Sequence, residues 1–317
     1  MKKVVVTRPV PAAALDLLKE RFDVSVLAEG EAERPGALAI ALEEAHGALV
    51  LITESIGEAE LEGAQNLELL ANMAVGYNNI DVEAAAARGV LVTNTPDVLT
   101  ETTADLTWAL VLAVARRVVE SDKFLRAGRF DRWGPLMLLG PDVHGKRLGI
   151  VGLGRIGEAV ARRGRLGFGM SVSYWGRCRN ERVESELNAR RMELDELLET
   201  SDVVSIHVPL SDATHHLIGA RELERMKTTA ILINTARGPV LDEAALVAAL
   251  EAEQIWGAGL DVFENEPEVH PGLMDRDDVV LLPHIGSGSL ETRNRMARLA
   301  AENLVEVLEG REPLTPV

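Results

Sequence analysis

The sequence predicts an α/β protein built from two doubly wound parallel-sheet domains. Three observations carry this. Short runs that are apolar throughout, such as "KKVVVT" and "TTAILINTA", alternate with amphipathic stretches, the pattern of strands covered by helices on both faces. With 317 residues, 47% of them hydrophobic, the chain exceeds the usual size of one core and can fill two. A G-x-G-x-x-G triplet at Gly152, Gly154 and Gly157 opens a second strand and helix series in mid-chain, well after the first.

In order, the first hundred residues read as "KKVVVT", the helical "AAALDLLKERF", "DVSVLA", the helical "PGALAIALEEA", "GALVLI", "LELLANMAV", the helical "DVEAAAARG" and "VLVTNTP". Thr100 is the candidate N-cap of one long helix from about Glu101 to Arg126, stopped near Gly128. A loop-rich excursion over 129–145 precedes the second series: "KRLGIVGLG", a helix over 155–166, "MSVSYW", a helix around 193–200, "DVVSIHVP", "TTAILINTA", a helix over 242–253, "IWGAGLDVF" and "DVVLLPHIG". A final helix over 291–309 lies beyond that series and is expected to pack back on the first. The first domain is then discontinuous, 1–98 plus 288–317, around a continuous second domain, 99–287.

Fifty acidic residues against 33 basic give a formal charge of −17, which repels polyphosphate backbones and argues against nucleic acid as a partner. The apolar part of "MKKVVVTRPV" is too short for a signal peptide, and "WALVLAVA" is far short of a membrane span. The single cysteine, Cys178, excludes an intramolecular disulfide and suits a reducing compartment. A cytoplasmic protein without membrane contact is expected. No metal is expected either: His215 and His216 are adjacent and lack ligand spacing, while His46, His144 and His270 stand alone.

The glycine triplet lies between a buried-type strand and a helix, the context of a Rossmann-type dinucleotide site. Gly152 permits the tight turn, Gly154 lets a pyrophosphate approach the backbone, and Gly157 permits close helix packing. The helix start at Arg155 and Ile156 supplies N–H groups. An NAD site expects an acidic residue about 20 positions further on. "YWGRCRN" offers Gly176 there, followed by Arg177, Cys178 and Arg179, with no carboxylate before Glu181. A 2′-phosphate carries close to two negative charges, and arginine offers a planar fork of donors that matches its oxygens. NADPH is therefore expected over NADH, with Arg182 as a weaker contact. Cys178 is read as a neighbour of the ribose phosphate, not as a nucleophile.

Three charged residues stand at or just past the ends of late strands: Arg237, Glu266 and His284. In an open α/β sheet the ligand crevice lies outside those ends, so residues distant in sequence converge there. An imidazole can exchange a proton with a substrate oxygen, a carboxylate can hold its other nitrogen, and arginine can grip a carboxylate with two donors. His207 is read as packed structure. "ANMAVGYNN" ends a strand in a glycine turn, where Val75 and Gly76 could offer N–H groups to a small carboxylate.

With "NMAVGYNNIDVEAA", "GVLVTNTPDVLTETTADLTWAL", "GLGRIG", "INTARGPVLDEAAL", "GAGLDVFENEP" and "LPHIGS", the chain resembles the D-isomer-specific 2-hydroxyacid dehydrogenases over essentially its whole length, and among them the glyoxylate/hydroxypyruvate reductases. The resemblance implies a flavodoxin-like substrate domain beside the Rossmann-type one, with a cleft between. It implies Arg237, Glu266 and His284 as the catalytic set and reduction of a small 2-oxo acid by a nicotinamide cofactor. It also implies cofactor contacts at Thr235, Ala236, Asp261 and Gly286, and substrate contacts at Val75 and Gly76. A homodimer is expected through the helix over 101–126 and the excursion carrying Trp133, Met137 and Leu138. The competing expectations are a dinucleotide-sensing corepressor, disfavoured by the complete trio, and a phosphoglycerate dehydrogenase, disfavoured by the arginine loop and by the lack of an appended regulatory domain.

Overall fold

A computed structural model describes residues 1–317. The chain forms two compact units, Met1–Leu99 with Ser287–Val317, and Thr100–Gly286. No helix is long and apolar enough to cross a membrane.

The first unit runs β1 (Lys3–Val6), α1 (Ala12–Lys19), β2 (Asp23–Val26), α2 (Ala37–Glu43), β3 (Gly47–Val50), α3 (Glu58–Leu61), β4 (Leu69–Asn72), α4 (Val82–Ala87) and β5 (Leu91–Thr93). Its five strands are parallel, in the order β2-β1-β3-β4-β5. The central strands β3 and β4 are buried at every position, which is why they are apolar throughout. Strand β2 lies at the edge, so its Asp23 and Ser25 can face water.

The second unit runs α5 (Thr100–Ala115), α6 (Val118–Arg126), β6 (Arg147–Val151), α7 (Arg155–Gly167), β7 (Ser171–Trp175), α8 (Glu181–Leu187), β8 (Arg190–Arg191), α9 (Leu194–Thr200), β9 (Val203–Ile206), α10 (Ala220–Arg225), β10 (Ile231–Asn234), α11 (Glu243–Glu251), β11 (Gly257–Leu260), α12 (Pro271–Met274) and β12 (Val279–Leu281). These seven strands are also parallel, ordered β12-β11-β10-β9-β6-β7-β8. The winding reverses between β6 and β9, and the carboxyl ends of those strands mark the crevice where such sheets take their ligands. Helix α5 packs on α7 and on β10 to β12. Its Trp108 stacks on Phe168 at 4.4 Å between centroids and donates from Nε1 to the Val160 carbonyl at 3.1 Å.

The chain then returns to the first unit as α13 (Leu290–Leu308). Met296, Ala300, Leu304 and Leu308, spaced four apart on one face, are buried where α13 covers β3, β4 and α1. The tail beyond it lies along β5: Thr93 pairs antiparallel with Pro316, and the Val317 N–H donates to the Val92 carbonyl at 3.1 Å.

The single long helix expected over 101–126 is two helices, with Thr100 already helical. Arg117 sits in the left-handed region at φ 49° and separates them. Its guanidinium holds Glu120 at 2.6 and 2.7 Å and the Leu139 carbonyl at 3.3 Å. The excursion comes so near that a Cβ on Gly140 would stand 1.9 Å from the Ala115 carbonyl oxygen. A contact far along the chain thus breaks the helix, at a place where "AVARRVVE" carries no glycine or proline.

Candidate active site

The turn from β6 into α7 is made by three glycines with different duties. Gly152 has φ 100°, and a Cβ there would lie 2.8 Å from the His207 carbonyl. A Cβ on Gly157 would come within 2.2 Å of the Gly152 carbonyl oxygen, so only glycine lets helix and turn close. At Gly154 no atom lies within 4 Å of that position, which leaves an open cradle. The start of α7 beside it, at Arg155 and Ile156, has no side-chain cap, and first-turn N–H groups have no acceptor inside their own helix. This cradle fits a pyrophosphate. Next to it, the His207 N–H donates to the Val151 carbonyl at 2.7 Å, and burial pushes the imidazole down to about 3, making it a neutral packed side chain.

At the end of β7 the arginines differ in how far they are committed. Glu184 accepts from Arg179 at 2.7 Å and from the Tyr174 hydroxyl at 2.7 Å. Arg182 pairs with Glu158 and, at 3.3 Å, with Glu186. Arg177 and Cys178 are exposed, and Arg177 forms no ion pair. The Gly176 carbonyl accepts from Arg191 at 3.0 and 3.3 Å. Sequence spacing misses Arg191, because only the pairing of β7 with β8, Tyr174 opposite Arg191, brings it to this loop.

The three strand-end residues converge. His284 Nδ1 lies 2.7 Å from Glu266 Oε2, and Arg237 is close enough for its charge to act on Glu266. Burial works against ionisation of Glu266, but the bond to His284, the His284 charge, the Phe263 N–H and the Arg237 charge together hold its carboxyl below the usual range. His284 follows Pro283 at φ 52°, a conformation costly for a side-chain-bearing residue, with its N–H bonded to the Asp261 carbonyl at 2.8 Å. Burial also works against the Arg237 charge, and Glu266 supports it.

The supports of the trio are not visible in the sequence. Asn234, the last residue of β10, accepts from the Ala236 N–H at 3.0 Å and donates to the Arg237 carbonyl at 2.9 Å. It thereby shapes the loop of Thr235 and Ala236. Thr235 is buried, its hydroxyl 2.9 Å from that of Thr107. Glu243 and Glu264 exchange bonds, each carboxylate accepting the other residue's backbone N–H, at 3.0 and 2.7 Å. This clasp ties the segment following Arg237 to the one carrying Glu266.

Asp261 is 1% exposed, accepts the Ile285 N–H at 2.7 Å through Oδ1, and has no partner at Oδ2. Oδ2 lies 3.2 Å from where a Cβ on Gly286 would stand. A buried acceptor without a donor fits an amide-bearing ligand, and with the glycine cradle it makes these residues a match for a nicotinamide dinucleotide. Burial raises the Asp261 carboxyl from 3.8 to about 6, against the pull of the Ile285 N–H, the His284 charge and the nearby Gly286 N–H, which makes no well-aligned bond to Oδ2. Because the folded value lies above the unfolded one, its contribution to stability is present in acid and is lost as pH rises through about 6. Asp261→Asn removes that titration. The melting temperature of the ligand-free variant relative to the wild type is therefore expected to be higher at pH 8 than at pH 5, and a pH-independent difference would contradict the assignment.

In the first unit, β4 ends at Asn72, whose Nδ2 donates to the Gly76 carbonyl at 3.0 Å, while Asn94 Nδ2 donates to the Val75 carbonyl at 2.8 Å. Both carbonyls of the glycine turn are thus occupied by asparagine donors. The N–H groups of Val75 and Gly76 make none of the backbone bonds that tie the surrounding turn.

Residues 108–286 match the family model described as "D-isomer specific 2-hydroxyacid dehydrogenase, NAD binding domain". A curated glyoxylate reductase from Thermococcus gammatolerans is 49% identical over 320 residues, covering 99% of this chain and 95% of that protein. Among solved structures, a protein from Thermus thermophilus superposes with a TM-score of 0.94 at 46% identity, covering 99% of both chains. An NADPH-dependent glyoxylate/hydroxypyruvate reductase from Sinorhizobium meliloti, solved with NADP and malonate, superposes with a TM-score of 0.89 at 37% identity, over 100% of this chain and 96% of that one.

Proposed function

The chain belongs to the D-isomer-specific 2-hydroxyacid dehydrogenase family, and from that premise we propose that it reduces short 2-oxo acids, glyoxylate and hydroxypyruvate among them, with NADPH preferred over NADH. The observation that carries this reading is the 2.7 Å pairing of His284 with Glu266, within reach of the Arg237 charge and of the unpartnered Asp261 oxygen.

The reduced nicotinamide, when bound, supplies the hydride. The residues of the chain do the rest. Arg237 holds the substrate carboxylate and polarises the carbonyl with donors in a fixed fork. Glu266 occupies His284 Nδ1, which leaves Nε2 to donate a proton to the carbonyl oxygen as the alcohol forms, and to take it back in the reverse direction. Asp261 Oδ2 accepts from the carboxamide, and Thr235, Ala236 and Gly286 line the same place. Gly152, Gly154 and the first turn of α7, Arg155 to Gly157, receive the pyrophosphate.

The cofactor preference is supported by Gly176, which stands where an NAD site expects an acid, and by the exposed cation of Arg177, with Arg179 and Cys178 beside it. The Sinorhizobium relative is NADPH-dependent by name and was solved with NADP. A panel of 2-oxo acids assayed with each cofactor tests both halves of the proposal. Glyoxylate or hydroxypyruvate should be reduced with a higher kcat/KM for NADPH. Equal or better efficiency with NADH would overturn the preference, and cofactor binding without turnover of any 2-oxo acid would overturn the enzyme.

We place self-association on the excursion after α6, where Trp133, Leu136 and Leu139 are exposed at 74%, 82% and 54%, while Met137 and Leu138 are half-buried. Light scattering at micromolar protein should read twice the 34.3 kDa chain mass, and a monomer would contradict this.

A further inference from the structure

Resting on the NADPH reading above, we propose that Arg191, on the edge strand β8, is a cofactor-selecting residue that supplies a second cation to the ribose 2′-phosphate beside Arg177. Of the guanidinium groups around the loop, Arg179 is held by Glu184, Arg182 by Glu158 and Glu186, and Arg190 by Glu196 at 3.3 Å. Arg177 and Arg191 are exposed and lie within ion-pair distance of no carboxylate, although the Arg191 charge reaches Glu184, which is bonded to Arg179. Successive side chains of a strand point to opposite faces, so Arg190 turns away while Arg191, opposite Tyr174, reaches the end of β7.

Two of its donors, Nε and Nη2, rest on one acceptor, the Gly176 carbonyl, at 3.3 and 3.0 Å. A guanidinium has five N–H donors, so the rest remain for a ligand. Gly176 is the residue that replaces the ribose-binding acid of an NAD site, and Arg191 is anchored to it before any ligand arrives. A dianionic phosphate then meets a positioned fork, with little side-chain freedom left to lose. In a chain of net charge −17, such a local cation is also what draws the extra phosphate in.

The bland alternative is that Arg191 only ties β8 to β7, and selectivity separates the two. The ratio of kcat/KM for NADPH to that for NADH is measured in the wild type, in Arg191→Met and in Arg190→Met as a control. Calorimetry on the cofactor-free protein compares 2′,5′-ADP with 5′-AMP. In Arg191→Met the NADPH/NADH ratio should fall by roughly tenfold or more, the size of one charged hydrogen bond, and 2′,5′-ADP should lose a similar factor against 5′-AMP. Arg190→Met should leave the ratio unchanged. Equal losses with both cofactors and both nucleotides make Arg191 a structural tie and overturn the proposal. A wild-type ratio at or below one overturns the NADPH reading and this inference with it. A wild-type ratio above one that survives in Arg191→Met overturns this inference alone.

Discussion

Replacing His284 with alanine is expected to lower kcat for 2-oxo acid reduction by about 10²- to 10⁴-fold, the range spanned by a positioned general acid. Without it, proton delivery to the carbonyl oxygen falls to water, and hydride arrival must build an unprotonated alkoxide. Cofactor affinity should be largely kept, because the cradle at Gly154 and the Asp261 acceptor are separate groups. Alanine inherits the φ of 52°, so the variant must first be shown to melt as a folded protein. Near-normal turnover in a folded variant would remove His284 from the proton transfer.

Arg237→Gln is expected to lower kcat/KM by about 10²- to 10³-fold, because removing one side of a largely desolvated charge pair costs about 2–5 kcal/mol. The glutamine keeps a donor but neither the charge nor the fork. Arg237→Lys should restore only a small part, since an ammonium cannot reproduce two parallel bonds to a carboxylate. Loss of this cation also removes one of the charges that keep the Glu266 carboxyl below the usual range, so ionisation of the His284 partner weakens too. If Arg237→Gln raised neither the KM for the oxo acid nor lowered kcat, the carboxylate would be held elsewhere.

Much of this was legible before any coordinates. Buried parallel strands advertise themselves as apolar runs, and β3, β4, β9 and β10 are buried at every position. The trio was legible because each member stands at a strand end, and parallel sheets collect strand ends. What stayed hidden depends on contacts between distant segments. The break at Arg117 is set by an approach of Gly140 to Ala115, and no local signal announces it. The arginine loop reads as two principal cations, Arg177 and Arg179, with Arg182 weaker, yet the commitment of Arg179 to Glu184 and of Arg182 to Glu158 appears only once α8 is folded and lies beside α7. Asn234 and the Glu243 and Glu264 clasp were missed for the same reason. Their partners are backbone groups, which leave no mark on a sequence.

The return of α13 to the first unit governs the order in which the protein can be assembled as it is made. Residues 1–99 leave the ribosome well before the helix that covers β3 and β4, which ends at Leu308, so at about 5–20 residues per second their interior waits roughly 10–40 s for its lid. The unit from Thr100 to Gly286 is continuous, so all of its own residues are made before α13 begins. The half of the molecule that is born second is thus the half that can finish first.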